Sequence, residues 1–144
     1  MTDPLELDRQ LCFALAATSR EVVRLYRPSL DPLGLTHPQY LVLLALWERS
    51  PRRLREVADR LYLEPATVSP LIGRLEAAGL VTRSRSAIDE RAVDIALTGE
   101  GAALREQALR VPGEVVERLG YSVERLERLR DELTSLLDAA HAVA

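Results

Sequence analysis

The stretch LREVADRLYLEPATVSPLIGRLEAAGLV, residues 54–81, decides how this chain is read. Leu54, Val57, Ala58 and Leu61 recur at spacings of three and four, the period of one helical face. Val68, Leu71, Ile72 and Leu75 do the same after a turn near Leu63–Pro65. Gly79 follows as a helix C-cap, where a left-handed residue is commonly needed. With both stripes inward, the second helix presents Thr67, Ser69 and Arg74 outward. Pro70 falls among these outward residues in mid-helix. It is tolerable if the helix effectively starts near Thr67, because first-turn N–H groups have no intrahelical partner.

The next segment, LVTRSRSAIDERAVDIAL (residues 80–97), changes period. Arg91, Val93, Ile95 and Leu97 alternate with Ala92, Asp94 and Ala96, as in a half-buried strand. This predicts an antiparallel hairpin with its loop around Ser86–Glu90. Two helices, a tight turn and a following hairpin make a winged helix-turn-helix. In that unit the second helix offers Thr67, Ser69, Pro70 and Arg74 to the major groove. Arg83, Arg85 and Arg91 on the wing are within reach of phosphates or a narrow minor groove. A plain helical hairpin with solvated arginines shares each local feature. The order of the whole set favours double-stranded DNA.

Long helices flank this unit. Residues 5–27 carry Leu7, Leu11, Leu15, Thr18, Val22 and Leu25 or Tyr26 on one stripe, ended by Pro28, Pro32 and Gly34. Thr36 and Gln39 fit a capping box for a helix from His37 to about Arg49, with Pro51 beyond its end. Thr98 caps a helix that should bend or break near Pro112 and Gly113. A last helix spans about Ser122 to His141, striped by Val123, Leu126, Leu129, Leu133 and Leu136 or Leu137. The fold class is mostly α (α+β).

Composition narrows the function. The 144 residues carry a net charge of −3, with 19 arginines and no lysine. Residues 49–91 hold nine arginines against six acids, so the centre is locally basic between acidic flanks. The longest apolar run, residues 40–47, is too short for a bilayer, and no secretory signal opens the chain. A cytoplasmic protein without a membrane partner is expected. One cysteine makes no intrachain disulfide and no cysteine-rich zinc site. No metal site, cofactor motif or glycine-rich phosphate loop is present, and no enzyme is expected. Trp47 and Tyr62 read as core or interdomain packing, and His141 as solvated.

That cysteine, Cys12, lies among Leu11, Phe13 and Leu15. Free cysteine is among the most buried residue types, so packing is one reading. The other is a reactive thiol, which attacks a peroxide O–O bond as the thiolate and becomes a sulfenic acid. An apolar lining suits lipid-like or aryl hydroperoxides. With no second cysteine, a disulfide needs a small external thiol or another chain.

Taken together, LDRQLCFAL, YRPSLDPLGLTHPQYLVLLALWE, LYLEPATVSPLIGRLEAAGLVTRSRSAIDERAV and VPGEV resemble the MarR family of transcription regulators, and within it the organic-hydroperoxide-sensing branch. The resemblance covers nearly the whole chain. It implies a homodimer, with residues 1–35 and 98–144 forming the helical dimerisation region and 36–97 the winged helix-turn-helix. It implies a repressor on a pseudo-palindromic operator. Asp89 would orient Arg91 at the wing tip, and Arg91 would enter the minor groove. Cys12 would be the peroxide-reactive thiol, supported by tyrosines of the partner subunit. Tyr26 matches one of these. Ala16 and His37 stand where the branch carries the others. At a helix N-terminus the macrodipole disfavours a cation, so His37 is expected to be neutral near pH 7.

Two further readings stay open. A repressor of this family could answer to a small phenolic ligand, with Cys12 only structural. A thiol peroxidase is the third, and it lacks a second catalytic thiol.

Overall fold

A short 3-10 turn, Leu7–Arg9, leads into the first helix, α1, Leu11–Leu30. The computed structural model describes residues 3–89 and 91–144; Glu90, expected in the hairpin loop, lies outside the described residues. The first helix starts later than residue 5 because Gln10 adopts an extended backbone and its side chain donates to the carbonyls of Pro4 and Glu6, both at 2.8 Å. It also ends later than expected, passing through Pro28. The missing Pro28 N–H deprives only the carbonyl of Arg24, an exposed residue that water reaches. Burial of Ser29 and Leu30, each 1% exposed, holds the last turn. A second 3-10 turn, Asp31–Leu33, closes on Gly34, whose φ of 71° suits glycine.

Helix α2, His37–Glu48, begins with both halves of the expected capping box: Gln39 N donates to Thr36 Oγ1 and Thr36 N to Gln39 Oε1. It buries Tyr40, Val42, Leu43, Ala45 and Leu46, residues on more than one face, so it must be covered from several sides. The sequence pattern did not show β1, Arg52–Arg53, because two residues carry no period. Helices α3, Leu54–Arg60, and α4, Pro65–Ala77, form the helix pair and bury the expected Val57, Ala58, Val68, Leu71, Ile72 and Leu75.

Helix α4 corrects the reading of Pro70. The helix starts at Pro65, which places Pro70 sixth, beyond the first turn. Its lost hydrogen bond falls on the Ala66 carbonyl, on an exposed residue. Tyr62 is also corrected: it sits in the interhelix turn at φ 57° and is 45% exposed rather than packed.

Strands β2, Val81–Arg85, and β3, Val93–Leu97, pair antiparallel, with β1 on the other edge of β3. The expected strand from Arg91 begins two residues later. Asp89 accounts for this, accepting from Arg91 N through Oδ1 and from Ala92 N through its carbonyl, each at 3.0 Å, which curls both residues into the loop. Ser86 N closes the loop on the Ala92 carbonyl at 2.9 Å.

Helix α5, Gly99–Ala108, is capped by Thr98 as expected, with Gly101 N donating to its Oγ1. The break before α6, Val111–Leu119, comes at Leu109–Arg110, upstream of the expected Pro112. That proline sits instead in the first turn of α6, where its fixed φ is favourable. Helix α7, Val123–Val143, is capped by Ser122. By internal contacts the chain divides into residues 1–109 and 110–144. In the second unit Glu114 pairs with Arg110 and Arg118, and the Arg125 guanidinium lies 3.8 Å from the Tyr121 ring centre.

One junction in the first unit joins four elements. Gly79, at φ 77°, ends α4 in a Schellman turn, with Leu80 N on the Leu75 carbonyl and Gly79 N on that of Glu76. Thr98 N then donates to the Leu80 carbonyl and Thr98 Oγ1 to that of Gly79. Trp47 Nε1 donates to the Gly101 carbonyl at 2.9 Å, tying α2 to α5 and giving Trp47 the packing role expected of it. A Cβ on Gly101 would fall 2.0 Å from the Leu80 carbonyl oxygen. Gly101→Ala is therefore expected to destabilise by about 1–3 kcal/mol through overpacking, against a helix-propensity gain of less than about 1 kcal/mol. Gly99→Ala, with nothing within 4 Å of its added Cβ, should be neutral or stabilising. Urea unfolding of both variants checks this; equal stabilities would show that the junction yields freely.

Candidate functional site

Four of the nine arginines between residues 49 and 91 are spent on the scaffold. Glu48, at the end of α2, accepts from Arg60 Nη2 at 2.7 Å and Nε at 3.1 Å, and from Arg52 Nη2 at 2.9 Å. These bonds, from Arg60 first, hold the Glu48 carboxyl below its usual range. Arg52 Nε reaches back to the Ala45 carbonyl, and Arg49 pairs with Glu56. Arg83 is turned onto α4, where Nη1 donates to Ser69 Oγ at 3.2 Å and Nη2 to the Ser69 carbonyl at 3.0 Å. Among the described residues, the side chains of Arg53, Arg55, Arg74, Arg85 and Arg91 make no hydrogen bond or ion pair.

The expected DNA-facing residues therefore divide. Thr67, Pro70 and Arg74 are exposed on α4, and Arg85, Asp89 and Arg91 are exposed on the hairpin. Ser69 and Arg83 are half-buried against each other. Asp89 Oδ1 accepts from the backbone N–H of Arg91 at 3.0 Å. A groove of about 370 Å³ brings Asp89, Arg91 and Val93 together with Arg53, Arg55 and Pro65. Arg53 and Arg55 were not singled out in the sequence. The signal was there in PRRLRE, but only β1 shows that this segment lies beside the wing.

The thiol region is separate. Cys12 is exposed near the start of α1, beside Leu11, Phe13 and Leu15, which are 62%, 37% and 38% exposed. Among the described residues, nothing packs it as a core residue. Tyr26 and His37 do meet, edge to face with ring centres 5.0 Å apart, and Tyr40 completes a cluster at 5.9 Å from Tyr26 and 6.4 Å from His37. Cys12 and Tyr26 share one helix fourteen residues apart, which is about 21 Å along its axis at 1.5 Å per residue. One chain does not bring the thiol to this cluster. Tyr40, buried at 4% exposure, was not picked out in the sequence because it reads as one more apolar position of α2.

Burial decides the protonation of the cluster. It raises the pKa of Tyr26 and of Tyr40, with Tyr26 adding to the second, and it lowers that of His37 below the ordinary 6.5. His37 is thus neutral at pH 7, through desolvation more than through its place at a helix start. On acidification the unfolded chain takes up this proton first. The stability tied to neutral His37 is present above pH 6.5 and is lost as pH falls through the lowered folded value. NMR titration should find the His37 ring titrating below 6.5, and His37→Phe should remove its share of the acid-side loss. A midpoint at or above 6.5 would place the ring in solvent or beside a negative charge.

Comparison with known proteins agrees with this geometry. The MarR family pattern matches residues 35–93. The organic hydroperoxide resistance transcriptional regulator of Bacillus subtilis (strain 168) is 44% identical over 139 residues, 96% of this chain and 95% of that protein. The regulator MgrA of Staphylococcus aureus is 35% identical over 96% of this chain and 95% of its own length. A solved structure of reduced AbfR, a Staphylococcus epidermidis protein, bound to DNA superposes with a TM-score of 0.77. It is 32% identical and covers 96% of this chain and 95% of that one. With its helix pair, winged hairpin and outward arginines in place, this chain belongs to the MarR family of DNA-binding transcriptional regulators.

Proposed function

We propose that the protein is a dimeric repressor that holds a pseudo-palindromic operator while Cys12 is reduced and leaves it when an organic hydroperoxide oxidises that thiol. The observation that carries this reading is the placement of the sole cysteine. It is exposed at the head of α1, about 21 Å along the helix from the Tyr26–His37 pair. In a two-fold dimer, Tyr26 and His37 of the partner subunit would complete the site. The similarity to a hydroperoxide resistance regulator supports the same reading.

Residues 1–35 and 98–144 serve as the dimerisation region and 36–97 as the DNA-reading region. Support for the dimer comes from exposed apolar rows. Leu7 and Leu11 precede and open α1, and Leu129, Leu133, Leu136 and Leu137 lie along α7, which buries no residue of its own. A helix with such a row is normally covered. Thr67, Ser69, Pro70 and Arg74 address the major groove. Arg85 and Arg91, with Asp89, address the backbone and minor groove. Arg53 and Arg55 extend the basic surface.

In the redox step the Cys12 thiolate attacks the terminal peroxide oxygen. The O–O bond breaks, and the alkoxide leaves and takes a proton to become an alcohol. Cys12 is left as a sulfenic acid, which condenses with a small thiol to a mixed disulfide and water. Among the described residues no helix is long and apolar enough to cross a membrane, and a DNA reader works in the cytoplasm.

Operator titration on the DNA upstream of its own gene tests the reading. Arg91→Ala should weaken binding by about 1–3 kcal/mol, the size of one good DNA contact. Undiminished binding by a folded Arg91→Ala protein would remove the wing assignment. Cys12→Ser should bind like wild type yet no longer release DNA on addition of cumene hydroperoxide. Identical release from both would make Cys12 structural and favour a small phenolic effector. Catalytic turnover of peroxide with an external thiol would instead indicate a peroxidase.

A further inference from the structure

We propose that Arg83 is a positioning residue, a strut that sets the gap between the recognition helix and the wing, and not a ligand of the DNA backbone. The proposal rests on the DNA-reading function and adds a role that a surface arginine in a wing would not have. Three observations carry it.

The first is direct. The Arg83 guanidinium spans from β2 to α4, with one N–H of Nη1 on Ser69 Oγ and one of Nη2 on the Ser69 carbonyl. It passes beside Gly73, where an added Cβ would lie 3.8 Å from Nη2. The second is the register of the sheet. Arg83 pairs with Ile95, and directly opposed residues share a face. Ile95 is 0% exposed, and Val81, two residues before Arg83 on the same strand face, is 2% exposed. Arg83 therefore projects from the side of the sheet that covers the core. The third is enclosure. Arg83 Nε is buried, with no acceptor among the described residues, and the residue as a whole is half-buried. Swinging it out to a phosphate would break both bonds to Ser69.

The consequence is mechanical. Ser69 lies among the residues offered to the major groove, and β2 carries the wing. Two bonds from one rigid guanidinium fix the distance and the twist between them. Lysine has a charge and a comparable reach but no planar fork, so it cannot make both bonds in this geometry. That difference separates a strut from a simple cation.

Operator affinity measured across a salt series, for wild type, Arg83→Lys, Arg83→Ala, Ser69→Ala and the Ser69→Ala/Arg83→Ala double variant, tests the proposal. A strut predicts that Arg83→Lys and Arg83→Ala both bind about tenfold more weakly than wild type. The slope of log affinity against log salt should stay at the wild-type value, since no phosphate contact is lost. The loss in the double variant should be smaller than the sum of the two single losses, because the Arg83–Ser69 side-chain bond is shared between them. Thermal unfolding of Arg83→Lys near the wild-type Tm keeps loss of folding out of the result. Near-wild-type affinity of Arg83→Lys, with a slope reduced by about 0.9 in Arg83→Ala, would mark a phosphate ligand and overturn the strut. Unchanged affinity in both Arg83 variants would overturn it equally. Failure of the wild type to bind any operator would sink the DNA-reading function itself, and the strut with it.

Discussion

Helix α2 is apolar on too many sides to lie on a surface. Between Tyr40 and Leu46 it buries five side chains, and α1, α3, α4 and α5 all pack against it. The helix pair can therefore form only where α2 covers it, and α3 and α4 spend their inner stripes on that contact. The sheet follows, since α4 ends in the Gly79 turn and delivers the chain to β2. The short β1 is held in place by Arg52, which bonds to both Glu48 and the Ala45 carbonyl of α2. Everything that presents a residue to DNA is thus referred to one buried helix.

The arginines explain how an acidic protein reads an acidic polymer. Those paired with Glu48, Glu56 or Ser69 hold elements of the domain to one another. Exposed ion pairs contribute little stability each, but bidentate arginines fix orientation. Among the described residues between 49 and 91, the arginines without internal partners lie on β1, α3, α4 and the hairpin, and Arg53, Arg55 and Arg91 share one groove. Net charge is the wrong quantity for judging such a protein. Which guanidinium groups remain uncommitted decides the local field.

The thiol region shows a complementary economy. Cys12 and the Tyr26–His37–Tyr40 cluster occupy opposite ends of the length between the head of α1 and the head of α2. Within one chain neither completes the other. In the dimer proposed above, a peroxide site divided in this way would form only between two subunits, and oxidation would act where they meet. A neutral imidazole in the cluster can still donate a hydrogen bond, as a tyrosine hydroxyl would, but it has a second protonation state within reach of mild acid.

The starts of α2 and α5 were legible from the sequence because one local cap decides each: Thr36, in its box with Gln39, and Thr98. The inward faces of α3 and α4 were legible too, because a period of three to four leaves no other way to bury Val57, Ala58, Val68, Ile72 and Leu75. What the pattern could not carry was every feature that depends on a distant partner. The two-residue β1 exists only because β3 is beside it. Helix α1 continues past Pro28 only because Ser29 and Leu30 are buried by the rest of the unit. Arg83 and Arg91 look alike in TRSRSAIDERAV, yet strand register turns the first onto Ser69 while the Asp89 turn leaves the second in solvent. Local chemistry, acting over three or four residues, was enough to start α2 and α5 and to set the inward faces of α3 and α4. Which arginine holds the fold together and which is left to meet another molecule was decided by tertiary packing, because a guanidinium bonds to whatever acceptor the fold brings within about 3 Å of it.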